Sequence, residues 1–197
     1  MRKADTTRKY ILEKSFDLIY VNGYQATSID RILETTKVTK GAFYYHFKNK
    51  EEMGIAMVKA IIFPKIKSGL VLPLAEYSNP LEGIFRTIEK SMLRTNKKEL
   101  HNGSPLNNII QEMAAINRVF LELLSMITGY WEKALITALK KAQEEKRIST
   151  HHDLSAIAKF IIASYLGAMG SGKLYRNHSY YEDYLSQLKN YLNSLHA

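Results

Sequence analysis

The chain contains no cysteine. That removes disulfides, thiol nucleophiles and Cys-based zinc sites. A reducing cytosol suits such a composition. The N-terminal run Met1-Arg2-Lys3-Ala4-Asp5 has no apolar stretch of the kind a secretory signal needs. No apolar run approaches the ~20 residues that span a bilayer, so a cytoplasmic protein with no membrane partner is expected. Strand-type alternation is almost missing, and there are no repeats or low-complexity segments. Glu-x-x-His, His-Glu-x-x-His, a Ser-His-Asp set and a Gly-rich phosphate loop are all absent. His101 falls in a polar stretch, and the neighbours His151 and His152 point apart at a helix start. An enzyme, a metal site and a bound cofactor are therefore not expected.

What is present is helix and positive charge. The 197 residues carry a formal net charge of +9. Residues 1–50 hold ten Lys and Arg against five Asp and Glu, so the basic quarter is the N-terminal one. Uneven positive charge points to a polyanionic partner at that end. Apolar residues recur at helical spacing almost throughout. Helices are expected over about 5–21, from Thr27 with Asp30 in a capping box, over 39–47, and from Asn49 with Glu52 in a second box. Pro64 should kink or end the fourth. Asn79-Pro80 opens another to about 97. Residues 98–103 read as a loop, followed by helices over 105–115, 117–146, from Thr150 with Asp153 to 175, and 180–195. The expected fold is all-α with about nine helices. Residues 1–50 are expected to form a three-helix unit and 51–197 a larger helical one.

On a helical wheel, Phe43 and Phe47 share one side of the 39–47 helix, facing Ile29, Ile32, Leu33, Phe16 and Ile19. The other side presents Gly41, Tyr44 and Tyr45, with Lys40, Ala42 and His46 at its margins and no acidic residue. Such a surface fits a DNA major groove about 12 Å wide. Gly41 and Ala42 permit close approach. Lys40 can donate to guanine or phosphate. Tyr44, Tyr45 and His46 can reach backbone or thymine methyls. Lys50 and the amides beside it suit a phosphate, as do Thr27 and Ser28 at the second helix start.

The run Thr27-Ser28-Ile29-x-x-Ile32 … Val38-Thr39-Lys40-Gly41-Ala42-Phe43-Tyr44-Tyr45-His46-Phe47-x-Asn49-Lys50-Glu51-Glu52 resembles the N-terminal domain of TetR-family transcriptional regulators. The likeness covers about residues 5–60. It implies a ligand-responsive regulator, most often a repressor, that binds double-stranded DNA at a palindromic operator as a homodimer, with 1–50 as its helix-turn-helix DNA-binding domain and 51–197 as its effector-binding and dimerisation domain. By position it puts base contacts on Lys40, Gly41, Ala42 and Tyr45, and phosphate contacts on Thr27, Ser28, Thr39, Tyr44, His46 and Lys50. Leu33-Glu34 departs from the pattern, where relatives often have two small residues.

Tyr184, Leu185, Leu188, Tyr191, Leu192 and Leu195 recur at three- and four-residue steps in the last helix, and Ala163, Gly167 and Ser171 at four-residue steps before it. Small residues let helices approach closely, so these nine are expected at the dimer interface. A largely apolar effector is expected among Phe85, Met92, Ile110, Met113, Phe120, Leu124, Ile127, Trp131, Tyr165 and Met169, since Met and aromatics tolerate irregular cavities. Asn107, Asn108, Gln111 and Tyr165 could orient it. A DNA-binding adaptor worked by a protein partner is the alternative, and an enclosed apolar cavity would count against it.

Overall fold

The computed structural model describes residues 3–196. Among these there is no strand; the helices are α1 (Lys3–Asn22), α2 (Ile29–Thr36), α3 (Lys40–His46), α4 (Lys50–Met57), α5 (Phe63–Ile66), α6 (Pro80–Leu93), α7 (Lys97–Asn102), α8 (Pro105–Met113), α9 (Arg118–Glu144), α10 (Leu154–Tyr175) and α11 (Ser179–Ser194). They gather into two compact units. One holds Met1–Pro64 with Asn108–Leu124, and the other Lys65–Asn107 with Ser125–Ala197. Packing thus draws 51–64 and part of α8 and α9 to the N-terminal unit, where the sequence boundary was placed at 50.

The N-terminal unit forms around aromatic and branched side chains spaced by helical periodicity. Ile11, Leu12 and Ile19 of α1 are buried with Ile32, Phe43, Phe47, Met53 and Met57. Each fully buried side chain of this size contributes about 1.5–3 kcal/mol by leaving water. Polar residues set where the helices start. Ser28 caps α2, its Oγ accepting from Arg31 N at 3.2 Å. The expected Thr27–Asp30 box does not form, because the Thr27 hydroxyl donates instead to the Gly23 carbonyl at 2.7 Å. Asn49 accepts from Glu52 N at 2.8 Å, while the Glu52 carboxylate reaches back to Lys48 N at 2.9 Å, one residue beyond the usual box.

Pro64 does not end its helix. The backbone stays helical through Val71, with π-helical stretches at Val58–Ile62 and Lys67–Val71 on either side of α5. Proline lacks an N–H and crowds the carbonyl four residues back. Widening to i→i−5 bonds, as Phe63 N–H to Val58 O and Leu72 N–H to Lys67 O, accommodates it. A 3₁₀ turn then covers Leu72–Glu76.

In the C-terminal unit α6 starts as expected, Asn79 Oδ1 accepting from Leu81 N and Glu82 N. The expected loop at 98–103 is helix α7 instead. Asn96 and Glu99 close a full capping box, with Glu99 N to Asn96 Oδ1 and Asn96 N to Glu99 Oε2 both at 3.0 Å. Asp153, rather than Thr150, caps α10. By length and composition α10, at 22 residues, could cross a membrane, contrary to the reading that no segment approaches that. One side of it is core: Ile157, Ile161, Tyr165 and Met169 are buried. The other side leaves Phe160, Ala163, Gly167, Leu174 and Tyr175 exposed. Apolar residues on both sides of one helix explain its hydropathy.

Three described non-glycine residues have positive φ: Lys37 (57°), Lys146 (56°) and Arg176 (55°). All three are basic, and they close α2, α9 and α10.

Candidate nucleic-acid interface

α3 is held down by two rings. Phe43 and Phe47 are 0% and 1% exposed, their centroids 5.6 Å apart. The Arg8 guanidinium lies 5.0 Å over the Phe47 ring, a cation–π contact that ties α1 to the end of α3. Thr39 caps the helix, its Oγ1 accepting from Ala42 N at 3.2 Å. With the rings inward, Lys40, Gly41, Tyr44 and Tyr45 are outward; Ala42 and His46 are half-buried. Tyr45 is 77% exposed and Tyr44 44%, so neither ring is core.

Gly41 carries the most information. Its φ is not positive, and a Cβ built there meets nothing within 4 Å. The fold does not require a glycine at this position. A small residue is useful there only to something that approaches from outside.

Ser28 and Thr39 are exposed at the starts of α2 and α3. Thr27 corrects its expected role: it is fully buried and its hydroxyl is committed to Gly23, so no phosphate can reach it. Lys50 is half-buried. Its Nζ donates to Gln25 O at 3.3 Å and lies 4.5 Å over the Tyr24 ring. Burial pushes its pKa down, opposed by the nearby Glu112 carboxylate. Tyr24 donates back to Lys50 O at 3.0 Å, and burial raises its pKa well above the usual tyrosine range, with Glu51 adding to the shift.

A short helix on two buried rings, an acid-free outward face and an exposed capping Ser or Thr at each helix start are the parts of a helix-turn-helix reader. Known proteins agree. Residues 11–57 match the family described as bacterial regulatory proteins, tetR family, and residues 80–188, more than half of the chain, match the tetracyclin repressor-like C-terminal domain. The chain belongs to the TetR family of transcriptional regulators. Among its relatives, the transcriptional regulator AcuR of Cereibacter sphaeroides is 26% identical over 178 residues, spanning 87% of this chain and 78% of that protein. The transcriptional repressor DhaR of Mycobacterium sp. is 24% identical over 186 residues, spanning 91% and 88%. A TetR-family regulator from Cytophaga hutchinsonii superposes with a TM-score of 0.86 at 26% identity, covering 100% of this chain and 98% of that one. Transcription regulators of this family bind DNA and are not enzymes.

The residues this TetR-family chain was expected to use for an effector divide sharply. Tyr165 and Met169 line a small cleft of about 120 Å³ with Ser91, Thr95, Glu99 and Ser104. Tyr165 and Ser91 share a hydrogen bond at 2.8 Å. Burial raises the Tyr165 pKa to about 12, the Ser91 bond opposing it, so the phenol stays protonated at neutral pH. Phe85, Met92, Ile127 and Trp131 are close-packed core of the same unit, Trp131 standing edge-on to Tyr165 at 5.2 Å. Asn108, Ile110, Gln111, Met113, Phe120 and Leu124 belong to the N-terminal unit instead. Phe120 packs edge-on to Tyr24 at 5.1 Å, and Gln111 is exposed. Helical spacing marks such residues as inward without saying toward which core. Asn107 donates to Leu166 O at 3.3 Å. A larger cleft of about 390 Å³, unforeseen in the sequence, lies between the 3₁₀ turn and α9, lined by Val71, Leu74, Tyr77, Pro80, Ala138 and Lys141.

The proposed dimer residues also divide. Ala163, Gly167 and Ser171 are exposed, and a Cβ on Gly167 would meet nothing. Tyr184 and Tyr191 are half-buried, Tyr184 bonded to Ser164 at 3.0 Å. Leu185, Leu188, Leu192 and Leu195 are at most 4% exposed within the subunit. α11 gives that leucine face to its own fold, against α6 and α10. The four leucines therefore have little surface left for a partner.

Proposed function

We propose that the chain is a cytoplasmic repressor that binds a palindromic operator as a homodimer and leaves it when a small effector binds. The observation that carries the DNA reading is Gly41: a helix-weakening residue, unneeded by the fold, at the centre of an exposed face of Lys40, Tyr44 and Tyr45. Base contacts fall to Lys40, Gly41, Ala42 and Tyr45, and backbone contacts to Ser28, Thr39, Tyr44, His46 and Lys50. Homodimerisation is supported by the exposed strip of α10, from Phe160 through Ala163 and Gly167 to Leu174, flanked by Tyr184 and Tyr191 of α11. A palindromic operator offers two α3 helices successive major grooves ~34–36 Å apart, and a two-fold dimer has the matching symmetry. The Ser91–Tyr165 cleft, about 120 Å³, offers hydroxyl groups to a small effector. Release requires only that the effector favour the non-binding state; a tenfold loss of DNA affinity corresponds to ~1.4 kcal/mol.

The test is selection of bound duplexes from a random pool, followed by titration of the selected site and mass measurement in solution. Enrichment of two inverted half-sites about one helical turn apart, bound by a dimer, is expected. A selected site without two-fold symmetry, or a monomeric mass at micromolar concentration, overturns the reading. Compounds that release the selected site then identify the effector, and Ser91→Ala should weaken their action.

A further inference from the structure

The turn between α1 and α2 is held by a residue far outside the DNA-reading motif. α1 closes when Gly23, at φ +88°, donates its N–H to Ile19 O at 2.8 Å. The left-handed residue leaves the next two amides, of Tyr24 and Gln25, aimed the same way, a concavity of the kind that binds anions. Both amides go to one carboxylate: Tyr24 N donates to Glu112 Oε1 at 3.1 Å and Gln25 N to Glu112 Oε2 at 2.9 Å. The Gln25 side chain completes the grip, its Nε2 donating to the Glu112 backbone carbonyl at 3.2 Å. On the other side of the turn, Gln25 O accepts from Lys50 Nζ, and Tyr24 Oη donates to Lys50 O. A second tie joins the same region: Asn117, the residue that caps α9, donates its side-chain amide to the Glu51 carboxylate.

We propose that Glu112 is a positioning residue for DNA recognition, which fixes the α1–α2 turn and so the angle at which α2 and α3 meet the groove. Hydrogen bonds to an ionised acceptor are roughly twice as strong as neutral ones, and this acceptor makes two, on adjacent residues, which defines direction as well as distance. Tyr24 and Thr27 are buried at the ends of the turn and Lys50 ties Gln25 O, but Gln25 and Ala26 between them are exposed, and the adjacent Tyr24 and Gln25 amides take their direction from the Glu112 carboxylate. The residues expected on phosphate, Ser28 and Lys50, lie on either side of it. Charge makes the placement more telling. A carboxylate bonded to the basic N-terminal quarter of the chain opposes DNA binding by Coulomb repulsion. Its presence is accounted for by the geometry it imposes.

That opposition of signs supplies the test. Glu112→Ala, Glu112→Gln and Gln25→Ala are titrated against the operator selected by the wild-type protein and against an unrelated duplex at low salt. Thermal midpoint and circular dichroism monitor the fold. Positioning predicts that Glu112→Ala loses tenfold or more on the operator while holding or gaining on the unrelated duplex, since one negative charge is gone. Glu112→Gln has one acceptor oxygen instead of two and falls between. Gln25→Ala changes no charge and loses a few-fold on the operator alone. In NMR spectra of the Gln variant, the Tyr24 and Gln25 amide protons move upfield. Affinities for operator and unrelated duplex that rise together would reduce Glu112 to a mere repulsive charge and overturn the proposal. So would unchanged operator affinity in a folded Glu112→Gln or Gln25→Ala protein. Failure of the wild type to select any duplex is a separate result, which defeats the DNA reading itself.

Discussion

A glycine within a seven-residue helix weakens that helix by about 1 kcal/mol against alanine, and at position 41 no neighbour asks for one. Gly41→Ala should therefore raise the thermal midpoint by roughly 2–4 °C for about 1 kcal/mol in a chain of this size and at the same time weaken operator binding. Calorimetry and a DNA titration on the same preparation check both halves; loss of stability with unchanged affinity would contradict them. Residue types and spacing were enough to find this face, because the Phe43 and Phe47 anchors fix the wheel. They were not enough for Thr27. Thr27 and Ser28 are equally able to cap α2, and the choice was made by the Gly23 carbonyl, whose approach depends on the turn. Glu112 was beyond reach for a similar reason: its partners are 87 and 88 residues away in the chain, and no local pattern links them.

Helix starts were legible where a short polar side chain stands before an apolar run. Asn49, Asn79-Pro80 and Asn117 cap as their spacing suggests. α7 was missed although its Asn96-x-x-Glu99 box is of the same kind, because six mostly polar residues offer no apolar face to signal a helix. Pro64 misled in the opposite way, since widened backbone hydrogen bonding carries the helix past it. The leucines of α11 were read at the right period but given to a partner instead of the subunit's own core. Periodicity identifies a buried face and is silent about what buries it. At this scale α4 fits closely against its neighbours. A Cβ on Gly54 would lie 2.6 Å from the Tyr24 ring and 2.9 Å from the Phe120 ring. Gly54→Ala gains helix propensity yet must displace two buried aromatics, and overpacking of this kind costs ~1–3 kcal/mol. Chemical denaturation should show a net loss of stability. A gain would mean that the rings yield freely.

For the molecule as a whole, charge and titration set the working range. The Tyr165 phenol is buried, with a pKa near 12 in the folded state against about 10 in an unfolded chain. The folded protein therefore retains a proton that the unfolded chain releases between those values. The stabilisation is complete below about pH 10 and is lost as pH rises toward 12. Unfolding free energy should be insensitive to Tyr165 near neutrality and fall over that alkaline window. In Tyr165→Phe that part of the slope should disappear; an unchanged slope would assign it to other groups.

The three basic residues with left-handed backbone give the molecule a dependence on electrolyte that is separate from its grip on DNA. A non-glycine residue in that conformation costs on the order of 1–2 kcal/mol, whereas a cation at a helix C-terminus gains about 0.3–1 kcal/mol from the helix dipole. Lys37, Lys146 and Arg176 combine the two. Dissolved salt screens the second contribution over a Debye length of about 10 Å at 0.1 M and leaves the first untouched. Added salt should thus leave these three helix ends strained without their electrostatic offset. The stability advantage of Lys37→Gly over wild type should widen as ionic strength rises. Because Lys37 lies exposed in the turn that leads into α3, the side chain that makes the fold salt-sensitive also adds positive charge beside the DNA-reading helix.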